Sequence, residues 1–422
     1  MQIIANGSSD YNNDGLIRVG DAVLAPADQQ ALIAQKAAIY PYKHVMVLTT
    51  DGGGNPWDPS GLYYTNGIGA PQWTTDPTIL AKRQNPFALN FFSHEAAMST
   101  SAHAVFPTIS GMNYASILHG LQWGELPPDY QLNNTSAGRF YFNDFGKSTS
   151  QYPSIFKVIN QYQPQRSNTV FSEWSPIPNG IVEPDAAVHK EFDSTPGTSY
   201  RKIADYINSP AFNKTAFTYL QDDSMDERGH STGFFNDRYW QDYHVYDERF
   251  KSVIYSLKKT GHANDTLVIF NADHGGTART HGGSSSSESN IFIALYGQTV
   301  AKGRRLTGGN NSDITPVALN ALRLPQPASM TGKVFDQTAF MPQTELTANH
   351  RDTDQVFVGQ SKQAMHFTLN KKHDIKAVDL VLDLNGQPKG TLQVNGGKIL
   401  RDQVENGQWK SRLLTTSCQM IF

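Results

Sequence analysis

His44-Val-Met-Val-Leu-Thr-Thr50 is an apolar run that ends on Asp51-Gly52-Gly53-Gly54. A run this short, uninterrupted and closed by glycines reads as a strand buried on both faces of a parallel sheet. Further strand candidates lie at Thr169 to Glu173 (TVFSE), Ala216 to Leu220 (AFTYL), Thr266 to Asn271 (TLVIFN) and Asn290 to Tyr296 (NIFIALY). Helical spacing appears at Ile155 to Gln161, Tyr200 to Ile207, Tyr239 to Lys259 and Ile314 to Leu322. The alternation predicts an α/β fold, a mostly parallel sheet with helices on both faces. Sites in such sheets form beyond the carboxyl ends of strands, so Asp51 is the first residue of interest.

Outward from this core the pattern changes twice. Residues 1–40 read as a turn-rich segment followed by a helix over Asp28 to Tyr40, and residues 41–342 as the α/β domain. Residues 343–422 read as a small C-terminal β module, with short alternating runs and Asn-Gly pairs at 385, 395 and 406 as hairpin signals. Within the α/β domain, Gly54 to Phe106 and Gly124 to Ser154 lack periodicity and read as long loops around a cleft.

The composition narrows the chemistry. The 422 residues carry 35 Lys plus Arg against 38 Asp plus Glu, a net charge of -3, which leaves no broad basic field for duplex nucleic acid. Cys418 is the only cysteine, so any metal must be held by His and carboxylates. No stretch approaches the roughly 18–20 apolar residues of a membrane span, and Met1 to Pro26 lacks the apolar core of a signal peptide. A charged content of 17% and six Asn-x-Ser/Thr triplets (Asn6, Asn133, Asn134, Asn213, Asn264, Asn310) suit an extracellular or periplasmic protein.

Four segments carry reactive side chains near predicted element ends. Asp51 closes the first strand. Asp226-Glu-Arg-Gly-His230 follows AFTYL, with Asp and His four apart, able to converge on one cation or to form a polar turn. Asp273-His274-Gly275-Gly276 leaves TLVIFN, with His281-Gly282-Gly283 shortly after. Histidine and carboxylate oxygen are the ligand set expected for Zn²⁺. The fourth segment, Phe106-Pro-Thr-Ile-Ser110-Gly-Met-Asn113, precedes an apolar pattern that opens a helix near Ser110. A hydroxyl at a helix N-terminus meets backbone N–H groups that favour an anion, although a serine N-cap has the same sequence signature.

In this order the four segments resemble the alkaline phosphatase superfamily, specifically the type I phosphodiesterase/nucleotide pyrophosphatase family, over about Lys43 to Lys333. The resemblance implies two Zn²⁺ per chain, one held by Asp226, His230 and His281, the other by Asp51, Asp273, His274 and the Ser110 oxygen. It implies Ser110 as nucleophile, a phosphoseryl intermediate, and Asn113 as a hydrogen-bond donor to a phosphoryl oxygen. The expected substrate is a small phosphate ester, a phosphodiester or nucleotide pyrophosphate. Phosphomonoester or phosphonate hydrolysis on the same site is the alternative. Ser110 and Met112 stand where that family usually has Thr and Pro, and the Cys/Ser-x-Pro-x-Arg signature of sulfatases is absent.

Asp10, Asn12, Asp14, Leu16 and Asp21 fall at ligand positions of a twelve-residue loop with Gly15 at position 6, which resembles the calcium loop of EF-hand and dockerin modules. A polar turn is the competing reading, and a calcium-stabilised surface binding protein is the non-enzymatic one. Trp57, Tyr63, Tyr64, Trp73, Trp123, Tyr141 and Trp174 are candidates to stack on substrate or to pack loops. Asp222 and Asp223 read as a solvated pair beside the metal motif.

Overall fold

The computed structural model describes residues 40–139, 151–334 and 339–340 in full. It also gives the pairing of strands Arg18–Val19 and Ala22–Val23 and of the strands after residue 342, with side chains there only at 398–405 and 410–411. The calcium-loop positions Asp10, Asn12, Asp14, Leu16 and Asp21 lie outside the described residues, as does the helix expected before Tyr40.

The central sheet is built from β1 (His44–Thr50), β2 (Ala97–His103), β3 (Ser167–Ser172), β4 (His189–Phe192), β5 (Thr215–Asp222), β6 (Thr266–Ala272), β7 (Asn290–Tyr296) and β8 (Arg305–Leu306). Their order is β8-β2-β7-β6-β1-β5-β3-β4. Only β7 runs against its neighbours β6 and β2. Every residue of β1, β5 and β6 is buried, the condition under which such strands become largely apolar. Sequence reasoning missed β2: its AMSTSAH composition is polar, yet it pairs with both β7 and β8.

Among the described residues the α-helices longer than one turn are α1 (Pro86–His94), α2 (Ser110–His119), α3 (Ile155–Tyr162), α4 (Thr198–Ile207), α5 (Ser224–Thr232), α6 (Asp237–Asp242), α7 (Val245–Thr260) and α8 (Ile314–Ala321). Consecutive strand residues point to opposite faces, and β6 shows both. Phe270 meets the rings of Phe91, Phe92 and Phe250 from α1 and α7. Its neighbour Asn271 reaches Asn311, at the head of α8, whose amide in turn reaches Asn113 on α2. Truncating one of these buried phenylalanines to alanine costs about 3–5 kcal/mol.

The continuous helix expected over Tyr239 to Lys259 is divided into α6 and α7. The Asn85 amide takes the Tyr243 carbonyl at 2.9 Å, and His244 contacts the Lys82 carbonyl, so the chain turns between the two helices. In the C-terminal module Gln393–Glu405 pairs antiparallel with Gln408–Ile421, flanking the Asn-Gly expected to turn at 406. Asn395 does not sit in a turn; it lies inside the long strand at a register shift, where a bulge absorbs the glycine.

Registration places the carboxyl ends of three strands side by side. Thr50 aligns with Ala272 on β6 and with Asp222 on β5, so Asp51, Asp273 and the segment leading to Asp226 leave the sheet at one edge.

Candidate metal centre

Asp51 and Asp273 each tie one carboxylate oxygen to the protein and leave the other without a hydrogen-bond partner. Asp51 Oδ2 accepts from the Tyr114 hydroxyl at 2.7 Å and the Gln221 amide at 3.2 Å. Asp273 Oδ1 accepts from the backbone N–H of Gly52 at 2.9 Å and of His274 at 2.7 Å. Asp51 Oδ1, Asp273 Oδ2 and Asp226 Oδ1 are buried and unpaired. Three such buried oxygens would be costly without a cation, because a buried unpaired acceptor loses its hydration without replacement.

The imidazoles are prepared in the same way. His230 Nδ1, His274 Nδ1 and His281 Nδ1 contact the carbonyls of Arg279, Gly275 and Thr108, each at 2.8 Å. A carbonyl can only accept, so each Nδ1 carries the proton and each Nε2 presents its lone pair in the neutral ring. Such outer hydrogen bonds orient histidine ligands in metal sites. His274 Nε2 lies 3.2 Å from Asp273 Oδ2 and 3.6 Å from Asp51 Oδ1, while His230 Nε2 lies 3.2 Å from Asp226 Oδ2 and His281 Nε2 lies 3.6 Å from Asp226 Oδ1. The His274 and His281 rings stack at 3.8 Å.

Two ligand groups result, Asp226-His230-His281 and Asp51-Asp226-His274. The first is the set expected from the sequence. The second contains Asp226 where the sequence reading expected Asp273, which approaches the His274 ring, so the Asp226 carboxylate faces both groups. The i and i+4 positions of Asp226 and His230 on α5 place both on one helix face. Gly52 makes this approach feasible: its φ is +63°, and a Cβ there would lie 2.8 Å from the Asp226 Cα.

Electrostatics follow from this crowding. Burial, then the neighbouring carboxylates, push Asp51 and Asp273 well above the usual carboxylate range. Burial also opposes charge on Asp226, but the hydrogen bond with His230 and the fields of His274 and His281 hold it below that range. The same hydrogen bond raises His230 to about 9, whereas burial and the facing His281 lower His274 to about 3. Protons here compete for the atoms that a divalent cation would take.

Ser110 opens α2, and its hydroxyl lies 3.1 Å from His274 Nε2. Asn113 does not face the centre. It is fully buried: Oδ1 accepts from the Val105 N–H and the Asn311 amide, while Nδ2 donates to the carbonyls of Val105, Pro107 and Ile109. It braces the turn that presents Ser110. The residue that sequence reasoning missed is Asn134, exposed, whose Oδ1 accepts the Gly111 N–H at 2.7 Å beside Ser110. Its only sequence signal was the Asn-x-Ser triplet, which pointed to glycosylation instead.

One other expectation is corrected. Asp222 is not solvated: it is fully buried, bonded to the Tyr246 hydroxyl and paired with Arg249 at 2.8 Å, which supplies the opposite charge that burial requires. Asp223 stands nearer the centre, raised to about 7 by burial and by Asp226. Trp57 is core, surrounded by Phe92, Tyr243, Phe250 and Phe292. Trp123 donates to the Leu132 carbonyl, Trp174 packs near Tyr114, and Tyr141 lies outside the described residues. A cavity of about 920 Å³ lined by Asp223, Asp226, His230 and Arg249 opens on the centre.

Residues 76–284 match the family described as type I phosphodiesterase / nucleotide pyrophosphatase. The match includes Ser110, Asp226, His230, Asp273, His274 and His281 but begins after Asp51. Murine ectonucleotide pyrophosphatase / phosphodiesterase 5 is 12% identical, covering 67% of this chain and 96% of that one, with a TM-score of 0.49. The lipoteichoic acid synthase LtaP from Listeria monocytogenes is 12% identical over 77% of this chain and 84% of its own, TM-score 0.47. A protein in the alkaline phosphatase superfamily from Vibrio parahaemolyticus is 13% identical over 78% and 76%, TM-score 0.46. No curated protein sequence matches the chain. Among the described residues, no helix is long and apolar enough to cross a membrane.

Proposed function

We propose, from the premise that residues 76–284 belong to the type I phosphodiesterase / nucleotide pyrophosphatase family, that this protein hydrolyses phosphodiester or nucleotide pyrophosphate bonds with Ser110 as nucleophile. The observation that carries the reading is the approach of the Ser110 hydroxyl to His274 Nε2 at the head of α2, beside carboxylate oxygens that have no protein partner. Hydrolysis of phosphoric esters is the chemistry of the family.

Asp226, His230 and His281 would hold one ion and Asp51, Asp273, His274 and Ser110 the other, with Asp226 shared in reach. Their nitrogen and oxygen donors suit Zn²⁺. Two divalent ions, when bound, supply the charge that favours an alkoxide and neutralises the leaving oxygen. The chain's own residues do the rest. Tyr114 and Gln221 fix Asp51, the Gly52 and His274 amides fix Asp273, and carbonyls fix the three imidazoles. We assign the Asn134 amide, next to Ser110, to receive an equatorial phosphoryl oxygen; its Oδ1 already accepts the Gly111 N–H. Ser110 Oγ bonds to phosphorus as the bond to the leaving ester oxygen breaks. Water then cleaves the phosphoseryl ester, releasing the phosphate product and restoring the hydroxyl.

The low charged content and the six sequons support work outside the cytoplasm. Turnover of an aryl phosphodiester against the matching monoester, at equal zinc content, tests the substrate class. Faster monoester turnover would replace the diesterase reading by a phosphomonoesterase.

A further inference from the structure

The opposite end of the same strands carries a second convergence of ligand atoms. His44 begins β1, and His262 and Asp265 lie in the turn that feeds β6; one ligand atom of each lies within 4.8 Å of the others. His44 pairs with Thr266 in the sheet, so this cluster sits at the amino ends of the two strands whose carboxyl ends deliver Asp51 and Asp273. Seven residues of strand separate it from that centre by about 20 Å.

His44 Nδ1 contacts the Thr215 carbonyl at 2.5 Å, which fixes the proton there and turns Nε2 toward Asp265. Nε2 stands 3.9 Å from Asp265 Oδ1, and His262 Nδ1 stands 3.3 Å from the same oxygen. The first separation is too long for a hydrogen bond, and the second is a long hydrogen bond, beyond the roughly 2.7–2.9 Å of a charge-assisted one. The second matches the spacing of about 3.3 Å between ligands of a tetrahedral ion with bonds of about 2.0–2.1 Å, and the first would have to shorten to reach it. Lys43 takes the other carboxylate oxygen, Oδ2, at 3.1 Å, leaving Oδ1 to the histidines. Arg166 donates to the carbonyls of Lys43 and Thr215, sharing the latter with His44 Nδ1. Phe212 covers both imidazoles, at 4.7 Å from His44 and 4.9 Å from His262. The Asp265 carbonyl accepts the backbone N–H of Lys43 and His44, so the two segments are already clipped together.

We propose that His44, His262 and Asp265 form a separate binding site for a divalent transition-metal ion of the zinc class, with water as fourth ligand, which ties the start of β1 to the turn entering β6. Two imidazoles and a single carboxylate oxygen select for such an ion over calcium or magnesium, which prefer all-oxygen shells. The site is structural, since three protein ligands beneath Phe212 lie far from Ser110.

The test compares the bound zinc of the wild-type chain with that of His262→Gln and Asp265→Asn after saturation with Zn²⁺ and removal of the free ion. Each variant is expected to carry one equivalent fewer than wild type while turning over an aryl phosphodiester within about twofold of it. The difference is independent of how many ions the Asp226 centre holds, so it stands or falls apart from the hydrolase reading. Equal zinc in all three proteins overturns the proposal. A lost equivalent accompanied by lost turnover also overturns it, because that ion would belong to the centre beside Ser110. Asp265→Asn keeps the side-chain shape, so a folding failure confined to one variant leaves the other to decide.

Discussion

Ser110 and His274 come from segments 164 residues apart, yet the serine hydroxyl meets the histidine Nε2 at 3.1 Å. The contact exists because α2 begins at Ser110 and β6 ends just before His274, both at the carboxyl edge of the sheet. The Gly275 carbonyl holds the far side of the ring, so Nε2 can only receive.

Replacing Ser110 by alanine is expected to lower turnover by about 10⁴-fold or more while zinc content stays within one equivalent of wild type. Steady-state rates and metal analysis on one preparation check both halves. Retained activity would move the nucleophile elsewhere. Thr108 is poorly placed for that role, since its hydroxyl donates to the Gly283 carbonyl and accepts the Gly282 N–H.

Asn134 and Asn113 separate positioning at the site from bracing beneath it. Asn134→Ala should cut kcat by roughly 10²–10³-fold, with thermal stability little changed, if its amide helps to receive a phosphoryl oxygen. Asn113→Ala should instead cost stability, about 1–3 kcal/mol for each buried backbone group left unpaired, seen as a lower denaturant midpoint. The opposite pattern would return Asn113 to the role first expected of it.

Tyr114→Phe removes the hydroxyl that orients Asp51 while leaving the ring in place. Loss of such an outer hydrogen bond typically weakens metal affinity by about 10–100-fold, and competition with a zinc chelator would read this directly. Unchanged affinity would mean that Gln221 suffices to hold Asp51.

The His230–Asp226 pair predicts opposite pH responses for the metal-free and metal-bound proteins. Its folded-state pKa is raised to about 9, above the ordinary value of 6.5. Its contribution to metal-free stability is therefore full below about pH 6.5 and fades as the pH rises through about 9. Zinc must displace the same proton, so apparent affinity should climb across that window. Calorimetric zinc titrations at pH 6, 7 and 8 measure the climb; a flat profile would show that His230 is not a ligand.

Gly52→Ala should damage the centre without touching a ligand. The positive φ strains any other residue, and the added Cβ would press on the Asp226 backbone at 2.8 Å. Turnover and zinc content are expected to fall together, and a variant normal in both would remove Gly52 from the account.

The sequence by itself determined the sheet and the ligand types. A strand buried on both faces is apolar over most of its length, so HVMVLTT and TLVIFN stood out, and the residues that left them had to stand at the sheet edge. Asp51, Asp273 and His274 were legible for that reason, and Asp226 with His230 through their four-residue spacing. Strand β2 was not legible, because its partners rather than its own composition bury it, and the division of α6 from α7 depended on Asn85, far away in the chain. Tertiary structure alone decided that Asp226 reaches both ligand groups and that Asn113 is spent on the turn while Asn134 stands beside Ser110. Spacing along a chain fixes which side chains share an element, whereas the packing of different elements fixes which atoms remain free to bind.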